Sequence, residues 1–294
     1  DGNRLNLSNA SGHTDGIYTS YNTEDAGNVW AIYKVGSFAP TEAQSMKKVI
    51  VNYTIDGVAA TETLGVAAGG TLNFSYEFAT VTSCKVGEEA QTVTNGACSV
   101  TIQDNVTISV AMTSDTRLFR LKNTASSRYM TIVTQEAAEG VQIKDKADDP
   151  VKQAFRIVLA NWQGKYNIKS TENYFMASST GGWNYGAYQT TTNEAGRVHE
   201  LEALGEGKYG LKTLNGYAGP NKNATSDGSP LYSNHTADNN GRMWELEELP
   251  KSSITYIYKW DDQTLASEVH ENVYEGWAAP ATAVTLPFGF SYDN

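Results

Sequence analysis

Nine residues, GGWNYGAYQ (Gly181 to Gln189), hold three large rings and two amides in a glycine-rich setting. An aromatic plate stacks on the apolar face of a sugar, while amide, hydroxyl and carboxylate groups fix the sugar's hydroxyls. Trp183, Asn184, Tyr185 and Tyr188 carry both kinds of group, and Asp227, Tyr232, Asn234 and His235 repeat the combination further along. Clustered exposed aromatics mark binding surfaces. Aromatics in paired strands also pack inward, so burial of these rings would remove the expectation.

Catalytic constellations are scarce. The histidines are His13, His199, His235 and His270. The stretch VHENVY at 269–274 opens like a zinc-protease helix, but Tyr274 stands where the second metal-gripping histidine must be. There is no Gly-x-Ser-x-Gly elbow, P-loop or dinucleotide fingerprint. The acidic clusters DKADDP (Asp145 to Pro150) and WDD (Trp260 to Asp262) read as solvated turns. A weak calcium site at 145–149 is the sharper alternative. No cofactor, no metal and no reaction are assigned.

Internal repeats tell what must position the rings. GKYNIKSTENYF (Gly164 to Phe175) returns as GKYGLKTLNGYA (Gly207 to Ala218) 43 residues later, with a weaker copy at Arg117 to Met130. GRVHELEAL (Gly196 to Leu204) returns as GRMWELEEL (Gly241 to Leu249) 45 residues later, with KQAFRIVLA (Lys152 to Ala160) before it. Residues 117–250 are thus three copies of one four-stranded unit. One such unit cannot bury its own apolar face; three can, around a pseudo-threefold axis. Their closure makes a β-trefoil and removes exposed sheet edges. Phe155, His199 and Trp244 occupy one repeat position, each the expected plug into a shared core. His199 is then a core ring rather than a general acid or base.

With these features the segment 117–250 resembles the ricin-type β-trefoil lectin family, whose closing strand carries a Gln-x-Trp signature. Trp244 keeps the tryptophan and Arg242 stands where the glutamine would be. The resemblance implies a shallow sugar pocket in each repeat, with an aromatic about a dozen residues before the closing ring. Tyr232 stands there before Trp244, and Tyr18 before Trp30; Ala187 and Ile143 hold that position in the other two repeats. The family's early aspartate is unmatched in GYAGPN (Gly216 to Asn221), and its Asn-Gln pair becomes Gly241–Arg242.

The flanks echo the centre. GIYTSYNTEDAGNVWAIYKV (Gly16 to Val35) aligns without gaps on PLYSNHTADNNGRMWELEEL (Pro230 to Leu249). Residues 1–38 therefore read as the last lobe of a partial trefoil, with Trp30 as its core ring and 39–46 as a linker. VIVNYTIDGVAATET (Val49 to Thr63) resembles ITYIYKWDDQTLASE (Ile254 to Glu268), each alternating and then turning at Asp-Gly or Asp-Asp. Residues 47–114 read as a small Ig-like β-sandwich of about seven strands. Residues 252–294 read as a partial second segment of that type. TEAQSMKKV (Thr41 to Val49) is the best helical candidate. Cys84 and Cys98 are either a cross-strand disulfide or two small buried apolar groups.

The fold class is all-β, a trefoil plus a small sandwich flanked by partial copies of each. A net charge of −11 argues against nucleic acid and anionic membrane surfaces, and no apolar run is long enough for membrane insertion. The expectation is a non-catalytic, lectin-like region of a secreted or surface-attached bacterial multidomain protein, binding a glycan or glycoprotein. Its further partners are other domains of the same longer chain. The alternatives are a structural or adhesive spacer array without sugar affinity, or the accessory region of an extracellular glycosidase or protease.

Overall fold

The computed structural model describes residues 4–7, 17–20, 45–179, 183–189, 194–221, 223–274 and 277. The chain divides into two compact units, Asp1–Ser45 and Met46–Asn294. In the first, β1 (Arg4–Leu7) pairs antiparallel with β2 (Ile17–Ser20), Leu7 opposite Ile17. Trp30 and the linker 39–44 lie outside the described residues.

The second unit begins with β3 (Met46–Ile55), β4 (Val58–Ala67), β5 (Thr71–Phe74), β6 (Ala79–Val86), β7 (Glu89–Ala90), β8 (Cys98–Thr101) and β9 (Val106–Ser114). They make a five-stranded sheet, in the order β4-β3-β9-β6-β7, and a two-stranded β5-β8 sheet. Strand alternation puts Val49 and Val51 of β3, Ile108 and Val110 of β9 and Val81 of β6 into one core with Phe74 and Val100. The β3–β4 hairpin turns on two residues, Asp56 and Gly57, both at positive φ. Asp tolerates this conformation and Gly adopts it without steric cost, which is why the Asp-Gly pair sits there.

One expectation fails in this region, and the structure decides between the two readings of the cysteines. Met46–Val49 opens β3 instead of closing a helix. The β-branched run from Val49 is taken up by β4 on one edge and by a parallel ladder with β9 on the other. Cys84 and Cys98 are free thiols, not a disulfide. They lie on strands of the two sheets and fill the core as small apolar groups. Burial, with the neighbouring Cys98 thiol, pushes the Cys84 thiol up to about 12, so it carries no thiolate at neutral pH.

Twelve strands follow: β10 (Phe119–Asn123), β11 (Tyr129–Ile132), β12 (Val141–Lys144), β13 (Phe155–Leu159), β14 (Tyr166–Ser170) and β15 (Phe175–Ser178). The remaining six are β16 (Tyr185–Tyr188), β17 (Val198–Ala203), β18 (Lys208–Thr213), β19 (Gly216–Pro220), β20 (Leu231–His235) and β21 (Met243–Glu248). Strands β10, β13, β14, β17, β18 and β21 pair in that order, and β21 returns to β10 through Leu121 opposite Leu246. The barrel is closed. Hairpins β11–β12, β15–β16 and β19–β20 repeat once per lobe. This is a β-trefoil, with lobe 1 spanning β10–β13, lobe 2 β14–β17 and lobe 3 β18–β21. A last hairpin, β22 (Lys251–Trp260) and β23 (Gln263–Tyr274), turns on Asp261 and Asp262. Tyr274 and Trp277 pack on the Leu118, Ala154 and Leu249 cluster.

The two repeated sequence motifs meet in the barrel. Phe119 pairs with Phe155, Tyr166 with His199, and Tyr209 with Trp244. Phe155, His199 and Trp244 are completely buried. Phe119, Tyr166 and Tyr209 converge on a seventh ring, Phe78, which enters from the segment between β5 and β6. Its centroid lies 5.7, 5.8 and 6.1 Å from theirs, edge-on to each. Around it, the Tyr76 hydroxyl donates to the Trp162 carbonyl at 2.6 Å and Trp162 Nε1 donates to Glu62 at 2.7 Å. Tyr209 donates to Glu77, and the Leu159 amide donates to Ser114 Oγ at 3.0 Å.

One buried cluster therefore runs from β3 to β21, and residues 46–250 are expected to unfold in a single calorimetric transition. Phe78→Ala empties the meeting point of three rings and should cost about 3–5 kcal/mol, splitting that transition in two. Two transitions in the unsubstituted protein would show that the strands before and after residue 115 are energetically independent.

Candidate functional site

The lobes' hairpins meet at three seams. Glu136 of lobe 1 donates its amide to the Ala187 carbonyl of lobe 2 at 2.8 Å. Asn184 of lobe 2 bridges to Tyr232 of lobe 3, and Gln142 of lobe 1 bridges to Pro230 of lobe 3.

The seam between lobes 2 and 3 gathers four of the proposed sugar contacts. Trp183 is 67% exposed. Its backbone is nonetheless fixed, because its carbonyl accepts from the Ser233 amide at 2.6 Å and the Ser233 hydroxyl at 3.1 Å. Asn184, Tyr232 and Asn234 are half-buried around it. The Tyr232 ring stands edge-on to His235, centroids 6.3 Å apart. His235 Nε2 donates to the Gly219 carbonyl at 2.9 Å, and burial lowers the ring's pKa against the opposing pull of that carbonyl. The neutral ring then presents Nδ1 as an acceptor for a hydroxyl. A large exposed ring on a fixed backbone, flanked by amides, a phenol and an imidazole, can stack on a sugar face and bind its hydroxyls.

Tyr232 reaches this surface through a register shift. Met130 pairs with Ile143 and Met176 with Ala187, but a β-bulge between Tyr217 and Gly219 sets Tyr232 opposite Gly219. Ser233 is completely buried, beside the equally buried Ile143 and Ala187 of the other lobes. The gapless alignment of Tyr232 with Ile143 and Ala187 is thus corrected by one residue.

The other proposed contacts lie elsewhere. Tyr185 is completely buried and is not a surface contact. Tyr188 is half-buried at the seam of lobes 1 and 2, where burial first and the Glu136 carboxylate second raise its pKa. Asp227 sits at the seam of lobes 1 and 3. It accepts from the Asp145 amide at 3.0 Å and pairs with Lys144 at 3.2 Å, and these contacts lower its pKa. The backbone of Tyr18 pairs with Asn6 in β1; its side chain lies outside the described residues.

Tyr185 is drawn inward by the core. Val141, Tyr185 and Leu231 occupy one place in the three hairpins, opposite Ile132, Ser178 and Pro220. All three are completely buried. In lobe 3 the bulky plug is Trp244, whose Nε1 donates to the Ala218 carbonyl at 2.9 Å. In lobe 2 the plug shrinks to His199 and Tyr185 supplies the missing volume. The Tyr185 hydroxyl meets His199 Nε2 at 2.8 Å, rings edge-on at 5.8 Å. Burial lowers the His199 pKa to about 4, the carbonyls of Tyr166 and Arg197 opposing it weakly.

Arg242, in place of the family's glutamine, lies over the Tyr217 ring at 4.7 Å and pairs with Glu202 at 3.2 Å. Arg197 lies over Phe175 at 4.8 Å in the matching position of lobe 2. Only lobe 1 keeps a glutamine. Gln153 is buried, accepting from the Ala147 amide at 3.0 Å and donating to Thr131 Oγ1 at 2.9 Å and the Asp145 carbonyl at 2.8 Å. Sequence reasoning missed these stacked guanidiniums, although the Gly-Arg repeated before His199 and Trp244 was their signal. Among the described residues, no group of three or more His, Cys, Asp or Glu side chains is placed to hold a metal ion, and 269–274 is strand, not helix.

No family model matches this chain, and no curated protein matches it. Solved structures with a similar fold include the designed threefold-symmetric protein ThreeFoil, 19% identical, covering 45% of this chain and 99% of that one with a TM-score of 0.39. The BEL β-trefoil is 14% identical over 46% of this chain and 95% of its own, TM-score 0.38. SeviL, in a structure bound to the asialo-GM1 saccharide, is 15% identical over 44% and 95%, TM-score 0.33.

The buried histidine makes stability depend on pH. The native ring stays neutral down to about pH 4, while the unfolded ring takes up its proton near pH 6.5. The contribution is fully present above pH 6.5 and is lost as pH falls toward 4, about 3 kcal/mol in total and about 2 kcal/mol by pH 5. Denaturant unfolding at pH 7 and pH 5 should show the native protein losing that much more stability than a Tyr185→Val/His199→Phe variant, which carries the buried lobe 1 pair Val141 and Phe155. Equal losses would mean that His199 is protonated in the fold.

Proposed function

We propose that this chain is a non-catalytic carbohydrate-binding region of a secreted or cell-surface multidomain protein, with a ricin-type lectin-like trefoil as its binding module. The observation that carries the proposal is Trp183, two-thirds exposed at the lobe 2–lobe 3 seam while its backbone is held by Ser233. A large ring held in water offers apolar area whose covering by a ligand would favour binding. Asn184, Tyr232, Asn234 and His235 supply donors and acceptors within the same seam. SeviL, a trefoil of similar fold, has been solved bound to a saccharide, which supports a glycan as ligand.

A shallow site of this kind binds weakly, and several copies in one longer chain would supply avidity. The docking of Phe78 into the barrel favours a second reading, in which the same array serves as a stiff spacer without sugar affinity.

A glycan array separates the two. The protein should bind a defined set of glycans, and Trp183→Ala or Tyr232→Ala should weaken binding by about tenfold or more, as loss of an aromatic anchor does. No binding to any glycan, or binding unchanged in both variants, would leave the spacer reading.

A further inference from the structure

A cleft of about 570 Å³ opens beside lobe 1, between the end of β21 and the segment after β12. Its walls include Arg120, Lys146, Asp148, Glu247, Glu248 and Leu249. Its size is that of a small-molecule site. Arg120 is only 7% exposed. Its Nη2 donates to the Ala147 carbonyl at 2.6 Å, while its Nε has no acceptor among the described residues. Solvent does not reach that Nε, so what Arg120 offers the cleft is the part of its side chain that remains exposed.

Lobe 3 holds a comparable set in which the ion pair is made. In lobe 3, the Tyr217 hydroxyl donates to Glu202, and Arg242 lies over that ring and pairs with Glu202. In lobe 1, the Tyr129 hydroxyl donates to Glu247 at 3.0 Å, and Arg120 lies 6.0 Å from that ring. The registers match, Arg120 opposite Glu247 and Gly210 opposite Glu202. Yet Glu247 pairs with Lys122 at 3.4 Å and Glu248 with Arg117 at 3.2 Å. Among the described residues no carboxylate is within ion-pair distance of Arg120. Lobe 1 keeps the ring and the carboxylate, but its guanidinium comes from another position, Arg120 where lobe 3 has Gly210, and it lines a cleft.

The wall chemistry selects the ligand. An anion would meet three carboxylates, and a cation would meet Arg120 and Lys146. A hydroxyl group can accept from a guanidinium and donate to a carboxylate at once. We propose that this cleft is a second saccharide subsite that takes a neutral polyhydroxylated sugar, with Arg120 as donor and Glu247 and Glu248 as acceptors. It deepens the carbohydrate-binding reading and lies apart from the Trp183 seam.

NMR titration of the full chain with galactose, lactose, maltose and N-acetyllactosamine tests it, with glucuronic acid and glycine as charged and zwitterionic controls. The Arg120 Nε–Hε signal and the Ala147 and Leu249 amides should shift with at least one neutral sugar and not with the controls. Trp183→Ala should leave these shifts intact. Arg120→Lys should weaken this site about tenfold while shifts at Trp183 and Tyr232 persist. If Arg120→Lys does not fold, the wild-type signals decide alone. Shifts at the seam without shifts at the cleft would make this a hydrated structural cleft only and overturn the subsite. Shifts with the controls alone would overturn its neutral-sugar chemistry. No shifts at either place would overturn the carbohydrate-binding reading with it.

Discussion

Four rings meeting edge-on hold the region from β3 to β21 together. Three of them, Phe119, Tyr166 and Tyr209, come from equivalent strands, so each lobe contributes once. The fourth, Phe78, comes from outside the repeat. Edge-to-face pairs contribute roughly 0.5–1.5 kcal/mol each beyond the area they bury. Their larger effect is geometric. A threefold arrangement of rings leaves a gap on its axis, and a ring from the preceding sheets fills it. The seven-stranded part is thus part of the trefoil's core rather than a bead strung beside it.

Much of this was legible in the sequence because repetition is visible without coordinates. Two motifs recur three times, and the barrel pairs the ring of one with the ring of the other, as Tyr209 with Trp244. What stayed hidden has three physical causes. A one-residue bulge in lobe 3 changes which face Tyr232 occupies, and a gapless alignment does not show it. Volume is conserved over pairs of positions rather than at each one, so Tyr185 looked like a surface ring until His199 was seen to leave room for it. Non-local strand pairing overrode local preference at Met46–Val49, whose parallel partner begins at Val106. Phe78 sits in no repeat and had no signal at all.

The surface of the barrel shows how a chain with a net charge of −11 uses its few cations. Arg197 and Arg242 are spent on ring faces, which a planar guanidinium covers better than an ammonium does. Lys122 and Arg117 hold the glutamates of β21. The positions that differ among the lobes, Gln153 against the two arginines and Arg120 against Asn167 and Gly210, are those where lobe 1 departs from strict symmetry. The lobe 1 cleft arises from such a departure, and the candidate seam from the bulge in lobe 3.

The Tyr185–His199 pair carries a consequence for how this chain can change over time. Both residues lie in lobe 2, so the enlarged residue and the diminished one are copied together whenever that lobe is duplicated. A recombination point falling between them would unite an oversized ring with a full-sized plug, or leave a void. A crossover at a lobe boundary would keep the pair intact, whereas one between Tyr185 and His199 would break it.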